Sequence, residues 1–244
     1  MSEVQNAAQI LTNRKNLIQK HLGPLYKKPS PEEWEMMKKA KDLAAMEEAD
    51  AAFAAKRMRE IEKITRGQTF QNFICRHQWQ RSLKTMAESY ARNPDGWFYI
   101  GGQSGCGKTH LCLAICKELA RQRQFVTLCR WREDIWLLSD RSFDKSEERM
   151  RKLKTLKTAG TLFVDDFLKG HAGTSEKQIA FEIIDARYLA GKRTIISSEY
   201  SLKQVIETFD EAIGGRLKEM CGKNIITIPE DRNRNYRVLV ETIA

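Results

Sequence analysis

No uninterrupted apolar stretch in this 244-residue chain approaches 18 residues, so nothing in it reads as a membrane span. The N-terminus has no compact apolar core followed by a small-residue cleavage site, so no signal peptide is expected and the location is cytoplasmic. No pair of its six cysteines (75, 106, 112, 116, 129, 221) has Cys-x-x-Cys spacing. That argues against zinc, and in a reducing cytosol it implies free thiols. Cys112 and Cys116 fall on one helix face, which suits burial better than a metal. There is no internal repeat and no low-complexity tract. Negative charge is in deficit: 42 Lys and Arg stand against 32 Asp and Glu, a net charge of +10. A polyanionic partner such as nucleic acid fits that balance, although few aromatics stand where they would stack on bases.

What is present is a phosphate-binding pattern. Gly102–Gln103–Ser104–Gly105–Cys106–Gly107–Lys108–Thr109 is Gly, four free positions, then Gly-Lys-Thr. An apolar run, Trp97 to Ile100, precedes it as a strand. A run of helical periodicity from His110 follows. Strand, glycine loop and helix are the context the motif needs. Glycines let backbone N–H groups approach phosphate oxygens, and the helix N-terminus adds its dipole. Lys108 is expected to reach the β- and γ-phosphates of ATP, and Thr109 to place its hydroxyl on Mg2+.

Alternation continues down the chain. Strands are expected at 97–101, 125–130, 161–165, 193–198 and 225–228. Helices are expected at 108–121, within 133–158, at 175–190 and within 201–221. This is an α/β fold with a parallel sheet of five strands. The tail from Pro229 is too short for a separate helical lid. Ahead of the sheet lies a helical arm, residues 1–66, and the division falls there from the ATPase domain 67–244. Residues 1–22 read as a weak amphipathic helix. Ser30–Pro31–Glu32–Glu33 is a strong helix start with a capping box, and the helix runs to about Thr65. Its apolar stripe is thin, which suits either a solvated arm or a docking element for a partner.

Thr161–Leu162–Phe163–Val164 ends in Asp165–Asp166. In phosphate-loop ATPases this strand end carries an acid that holds Mg2+ and an acid that orients the attacking water. Asp165 takes the first role and Asp166 the second, as base. The next strand ends Ser197–Ser198–Glu199, where a side chain either senses the γ-phosphate or caps the following helix; Ser201 with Gln204 also serves as that cap. Gly214–Gly215 reads as a break in a helical region that presents Arg216. That arginine is either an ion-pair partner of Glu211 or Glu219 or a finger inserted into a neighbouring copy's site. Arg149, Arg151, Lys152, Lys154 and Lys157 alternate with Leu153 and Leu156, either as a solvated amphipathic helix or as a nucleic-acid contact.

Taken together, the residues resemble the DnaC-type helicase loaders of the AAA+ superfamily and the related IstB-type transposition ATPases. The resemblance covers 68–237. It rests on Gln68–Thr69–Phe70 with Phe73, on 102–109, on Val164–Asp165–Asp166, on Gly215–Arg216–Leu217 and on Asn235–Tyr236–Arg237. It implies that Thr69 and Phe70 lie near the adenine, that Arg216 acts in trans within a homo-oligomer, and that Arg237 is a second nucleotide sensor. It implies ATP hydrolysis, a DnaB-type replicative helicase hexamer as protein partner, and single-stranded DNA. The transposition alternative implies duplex DNA and a transposase. A small-molecule kinase would need a lid of arginines and an acceptor pocket, which residues 1–66 do not supply. Two departures stand out. The family usually has Asn where this chain has Glu199, which leaves Ser198 to sense or makes hydrolysis slow. The arm also lacks the zinc ligands that some loaders carry.

Overall fold

The computed structural model describes residues 29–140, 142–170, 173–231, 234 and 235. The weak helix expected within 1–22 and the tail residues Tyr236 and Arg237 lie outside them. The chain parts into two units, Met1–Phe53 and Ala54–Ala244.

Helix α1 spans Pro31–Thr65. Its start is capped as the sequence indicates: Ser30 Oγ accepts from Glu33 N at 3.1 Å, and Glu33 Oε2 accepts from Ser30 N at 2.7 Å. Trp34, Met36, Met37, Leu43 and Met46 stand exposed along it. Its last turns belong to the second unit. There Ile61 and Thr65 are buried, and Glu62 pairs with Lys117 at 2.7 Å.

The second unit continues with α2 (Gln78–Arg92), β1 (Phe98–Gly102), α3 (Lys108–Arg121), β2 (Val126–Arg130), α4 (Trp131–Ser139) and α5 (Ser146–Thr158). Then come β3 (Thr161–Phe167), α6 (Thr174–Leu189), β4 (Arg193–Ser198), α7 (Leu202–Gln204, running into a π-helical turn Val205–Phe209), α8 (Glu211–Cys221) and β5 (Ile225–Ile228). The five strands form one parallel sheet in the order β2-β3-β4-β1-β5.

Strand side chains alternate between faces, and the core divides accordingly. Phe98, Ile100, Phe163 and Ile195 pack on one face with Leu111 and Ile115 of α3. Tyr99, Leu162, Val164 and Ile196 pack on the other with Ile183, Ile184 and Ile213. Both faces are covered by helices, as an all-parallel sheet requires. Because every strand points the same way, the ends of β1, β3 and β4 converge on one edge.

One expectation needs correction. Gly214 and Gly215 do not break a helix; they lie inside α8. A Cβ on Gly214 would stand 2.3 Å from Ile206 Cγ1, so glycine there allows α8 to meet the π-helical turn. The helix start is made instead by Asp210, whose Oδ1 accepts from Ile213 N at 2.8 Å. Two aromatics stand in solvent. Trp136 is 73% exposed and Phe143 is 94% exposed, around the α4–α5 connection. No helix among the described residues is long and apolar enough to cross a membrane.

Candidate functional site

Strand β1 runs into a glycine loop that ends at α3. Gly105 and Gly107 adopt φ of +79° and +84°, a conformation that costs a side-chain-bearing residue. Space is tight for a side chain as well. A Cβ on Gly105 would meet Asn235 Oδ1 at 2.0 Å, and one on Gly107 would meet the Phe73 ring at 2.6 Å. Gly107 is the N-cap of α3, so the unpaired N–H groups and positive dipole end of that helix open onto the loop.

Lys108 is 6% exposed. Its Nζ donates to the carbonyls of Gly102 and Gln103 at 2.7 Å each. Burial draws its pKa below the usual lysine value. Next to it, Thr109 Oγ1 donates to Asp165 Oδ1 at 2.8 Å. Ser197 Oγ donates to the same oxygen at 2.5 Å and accepts from Asp166 N at 3.1 Å. Burial pushes the Asp165 carboxyl up, and the bonds from Ser197 and Thr109 do not fully offset it. The pairing of β3 with β4 is irregular between Val164 and Phe167, so Asp165 and Asp166 occupy a bulge. Asp166 has φ of +55°, a region aspartate tolerates.

Lys169, three residues on, bridges two carboxylates. Its Nζ lies 3.1 Å from Asp166 Oδ2 and 2.9 Å from Glu199 Oε1. Burial draws Lys169 down, but its bonds to Glu199 and Asp166 outweigh that and hold it above the usual lysine value. Partial burial pushes Glu199 up, and the bonded Lys169 ammonium reverses this, leaving it below the usual carboxylate range.

Lys108, Thr109, Asp165, Asp166 and Lys169 line a cavity of about 450 Å3, within the ordinary size of a small-molecule site. Its walls include Ser104, Gly105, Cys106, Gly107, Lys108, Thr109, Asp165, Asp166 and Lys169. The donor set fits a magnesium nucleotide. A hydroxyl and a carboxylate supply hard oxygen ligands, a buried ammonium supplies positive charge, and the glycine cradle is tight for a side chain.

Other expected residues sit elsewhere. Gly102 and Gln103 lend their carbonyls to Lys108, and Gln103 Oε1 accepts from Asp231 N at 2.7 Å. Thr69 and Phe70 do not line the cavity; Gln68, Asn72 and Phe73 do. Phe70 is in the core. Thr69 is tied to Asn72, and its carbonyl accepts from His110 Nε2 at 2.8 Å, which fixes the histidine tautomer. Ser198 is fully buried; its hydroxyl donates to Phe167 O at 2.8 Å and accepts from Tyr200 N. Strand alternation points Ser197, not Ser198, at Asp165.

Arg216 pairs with neither Glu211 nor Glu219. It meets Asp185 at 2.7 Å and lies over the rings of Phe181 and Tyr188. It lines a separate open concavity with Tyr188, Asp210 and Glu219. Of the basic run, Arg151, Lys152 and Lys157 are ion-paired with Glu147, Asp134 and Glu182, while Leu156 is buried. Arg237 lies outside the described residues. Sequence reading missed Lys169, Asn72 and His110, and did not single out Ser197 from its strand end.

The chain is similar to proteins of replication initiation. It is 23% identical over 226 residues to the replicative helicase loader DnaC of Escherichia coli (strain K12), covering 88% of this chain and 91% of the relative. It is 32% identical over 145 residues to YqaM of Bacillus subtilis (strain 168), covering 56% of this chain but only 44% of that longer relative. Its fold matches the crystal structure of the DnaC helicase loader with a TM-score of 0.59 at 19% identity, over 69% of this chain and 99% of that one. It matches that of DnaI with a TM-score of 0.56 at 19% identity, over 71% and 93%. A replication initiator DnaA bound to AMPPCP and single-stranded DNA matches with a TM-score of 0.53 at 20% identity, over 72% and 54%. The fold is thus that of the AAA+ phosphate-loop NTPases. The family model for IstB-like ATP binding protein matches residues 32–221, most of the chain and every strand but β5; the chain belongs to that family.

Proposed function

We propose that this chain is an ATP-hydrolysing loader that delivers a DnaB-type hexameric replicative helicase onto single-stranded DNA. The observation that carries the ATPase part is the convergence of Lys108, Thr109, Asp165 and Asp166 on one cavity. Lys108 would neutralise the phosphates. Thr109 and Asp165 would hold Mg2+, which supplies further positive charge where the phosphoryl group departs. Asp166 would take the proton of the attacking water. Arg216 would serve a neighbouring copy within a homo-oligomer, from the surface where it stands with Asp185. Arg237 keeps the second-sensor role that the resemblance implies.

The loader part rests on the likeness to DnaC along nearly the whole length of both chains. The apolar residues exposed along α1 would supply contacts to the helicase. Trp136 and Phe143 would stack on bases, with Arg149 and Lys154 near the backbone phosphates. The family match favours a second reading, a transposition ATPase acting on duplex DNA with a transposase.

The test uses purified chain, a DnaB-type hexamer and circular single-stranded DNA. ATP-dependent transfer of the helicase onto the circle is the expected result. Absence of helicase binding, with capture of a transposase on duplex DNA instead, would overturn the loader reading. Competition between single-stranded and duplex DNA separates the two forms, and affinity for the preferred one should fall steeply with salt, by about 0.7 per phosphate contact on single strands in a log–log plot.

A further inference from the structure

The turn after β3 delivers a cation that none of the roles above employs. Lys169 N donates to Asp166 O at 3.0 Å, closing a tight turn. Leu168 within it has φ of +61°. A leucine held there costs on the order of 1–3 kcal/mol, and it persists where its surroundings over-determine it. Leu168 is 1% exposed, locked in the core. The turn therefore returns the Lys169 side chain over Asp166 and into the cavity wall.

There it meets Glu199, which follows β4 directly. Ser104 of the phosphate loop and Lys108 are near enough to help hold the Glu199 carboxyl down, after the larger effect of Lys169. Alternating charge thus runs from Asp166 through Lys169 and Glu199 to the loop. An ionised glutamate can only accept hydrogen bonds, so it cannot donate to a phosphate oxygen, and its charge opposes one. The ammonium it holds has three donors and the right sign. An isolated lysine–carboxylate pair at a surface contributes little to stability. This one joins the ends of two strands at the lip of a cavity built for phosphate.

We propose that Lys169 is the residue that contacts the terminal phosphate of ATP, and that Glu199 is the positioning residue that holds it there. The donor expected directly on residue 199 is supplied one step removed, by a lysine bound to it. This rests on the ATP-binding reading above.

The test measures equilibrium affinity for a non-hydrolysable ATP analogue and for ADP, with thermal unfolding as a check on folding. Lys169→Met should lower affinity for the analogue about tenfold or more and for ADP less than threefold. Lys169→Arg should restore most of the difference. Lys169→Met with Glu199→Gln should recover part of it, because the stranded carboxylate is neutralised. A merely structural role would weaken both nucleotides together. If Lys169→Met keeps the wild-type preference for the triphosphate analogue, or loses both nucleotides equally, the proposal is wrong while the ATP-binding reading stands. If the unaltered chain binds neither nucleotide, the ATP-binding reading itself falls.

Discussion

Arg187 sets two large terms against each other, and replacing it with methionine measures which wins. The side chain is fully buried on α6 and makes no ion pair among the described residues. Its Nε donates to Thr194 Oγ1 at 2.9 Å. Its other nitrogens donate to the carbonyls of Leu156 at 2.9 Å, Ala159 at 2.8 Å and Arg193 at 2.5 Å. Those carbonyls belong to the C-terminal end of α5 and the start of β4, where a cation also answers the helix dipole. Four charge-assisted bonds at about 1.5–3 kcal/mol each sum to roughly 6–12 kcal/mol. Removing the guanidinium from water costs several kcal/mol in the opposite sense. The net loss expected for Arg187→Met is about 3–5 kcal/mol, because methionine fills the stem's volume but leaves buried carbonyls unpaired. In a unit of this size that lowers Tm by roughly 6–20 °C. Circular dichroism on heating and urea titration both read it. A Tm change under about 2 °C would refute the reasoning, since desolvation would then cancel the bonds outright.

Four further outcomes are expected. Lys108→Ala should weaken binding of a labelled ATP analogue about 100-fold or more, ~2.7 kcal/mol, and unchanged affinity would sink the phosphate-loop assignment. Asp165→Asn should raise Tm near pH 7 while abolishing magnesium-dependent ATP binding. Burial raises the folded carboxyl's pKa, so its charge destabilises the fold at pH above that value; the mutant's advantage should shrink as pH falls through it, and a pH-independent Tm difference would contradict this. Arg216→Ala should spare ATP binding by isolated subunits but lower assembly-dependent hydrolysis, with partial rescue on mixing with Lys108→Ala protein; wild-type activity from Arg216→Ala alone rules out a finger in trans. Deleting residues 1–53, which leaves the buried Ile61 and the Glu62–Lys117 pair in place, should keep ATP affinity within about threefold and abolish capture of the helicase. Retained capture would move docking onto the ATPase unit.

Much of the site was legible because its chemistry is local. The capping box at Ser30 needs only residues three apart, and the phosphate loop needs only its glycines and the helix behind them. The paired aspartates were legible as a strand end. What they touch was not. Ser197 and Ser198 are equivalent in the sequence, and the choice between them depends on strand parity and on the bulge at Asp165–Asp166, which is a property of two paired strands. Gly214 looked like a helix break because its reason, the approach of Ile206, lies eight residues away and across an interface.

Lys169 was the least legible of all, for a reason that bears on how the site works. Nothing in Phe167–Leu168–Lys169 announces a left-handed turn; glycine appears only at position 170. The turn depends on Leu168 reaching the core, so the cation is placed by packing rather than by local preference. Glu199 looked like a defect when read alone, an acid where a neutral donor is usual. With Lys169 bound to it the acid becomes the anchor for a stronger donor. Each residue is intelligible only through the other, and they follow different strands thirty residues apart. A pair of that kind keeps its charge balanced only if both members change together. Glu199→Asn alone should therefore leave Lys169 with Asp166 as its remaining carboxylate partner, drawing the cation toward the proposed base. Hydrolysis should then fall in Glu199→Asn and recover in Lys169→Met with Glu199→Asn, where an amide stands free to donate; steady-state phosphate release on the single and double variants decides it, and a double variant slower than either single one would show that the two residues do not act as a unit.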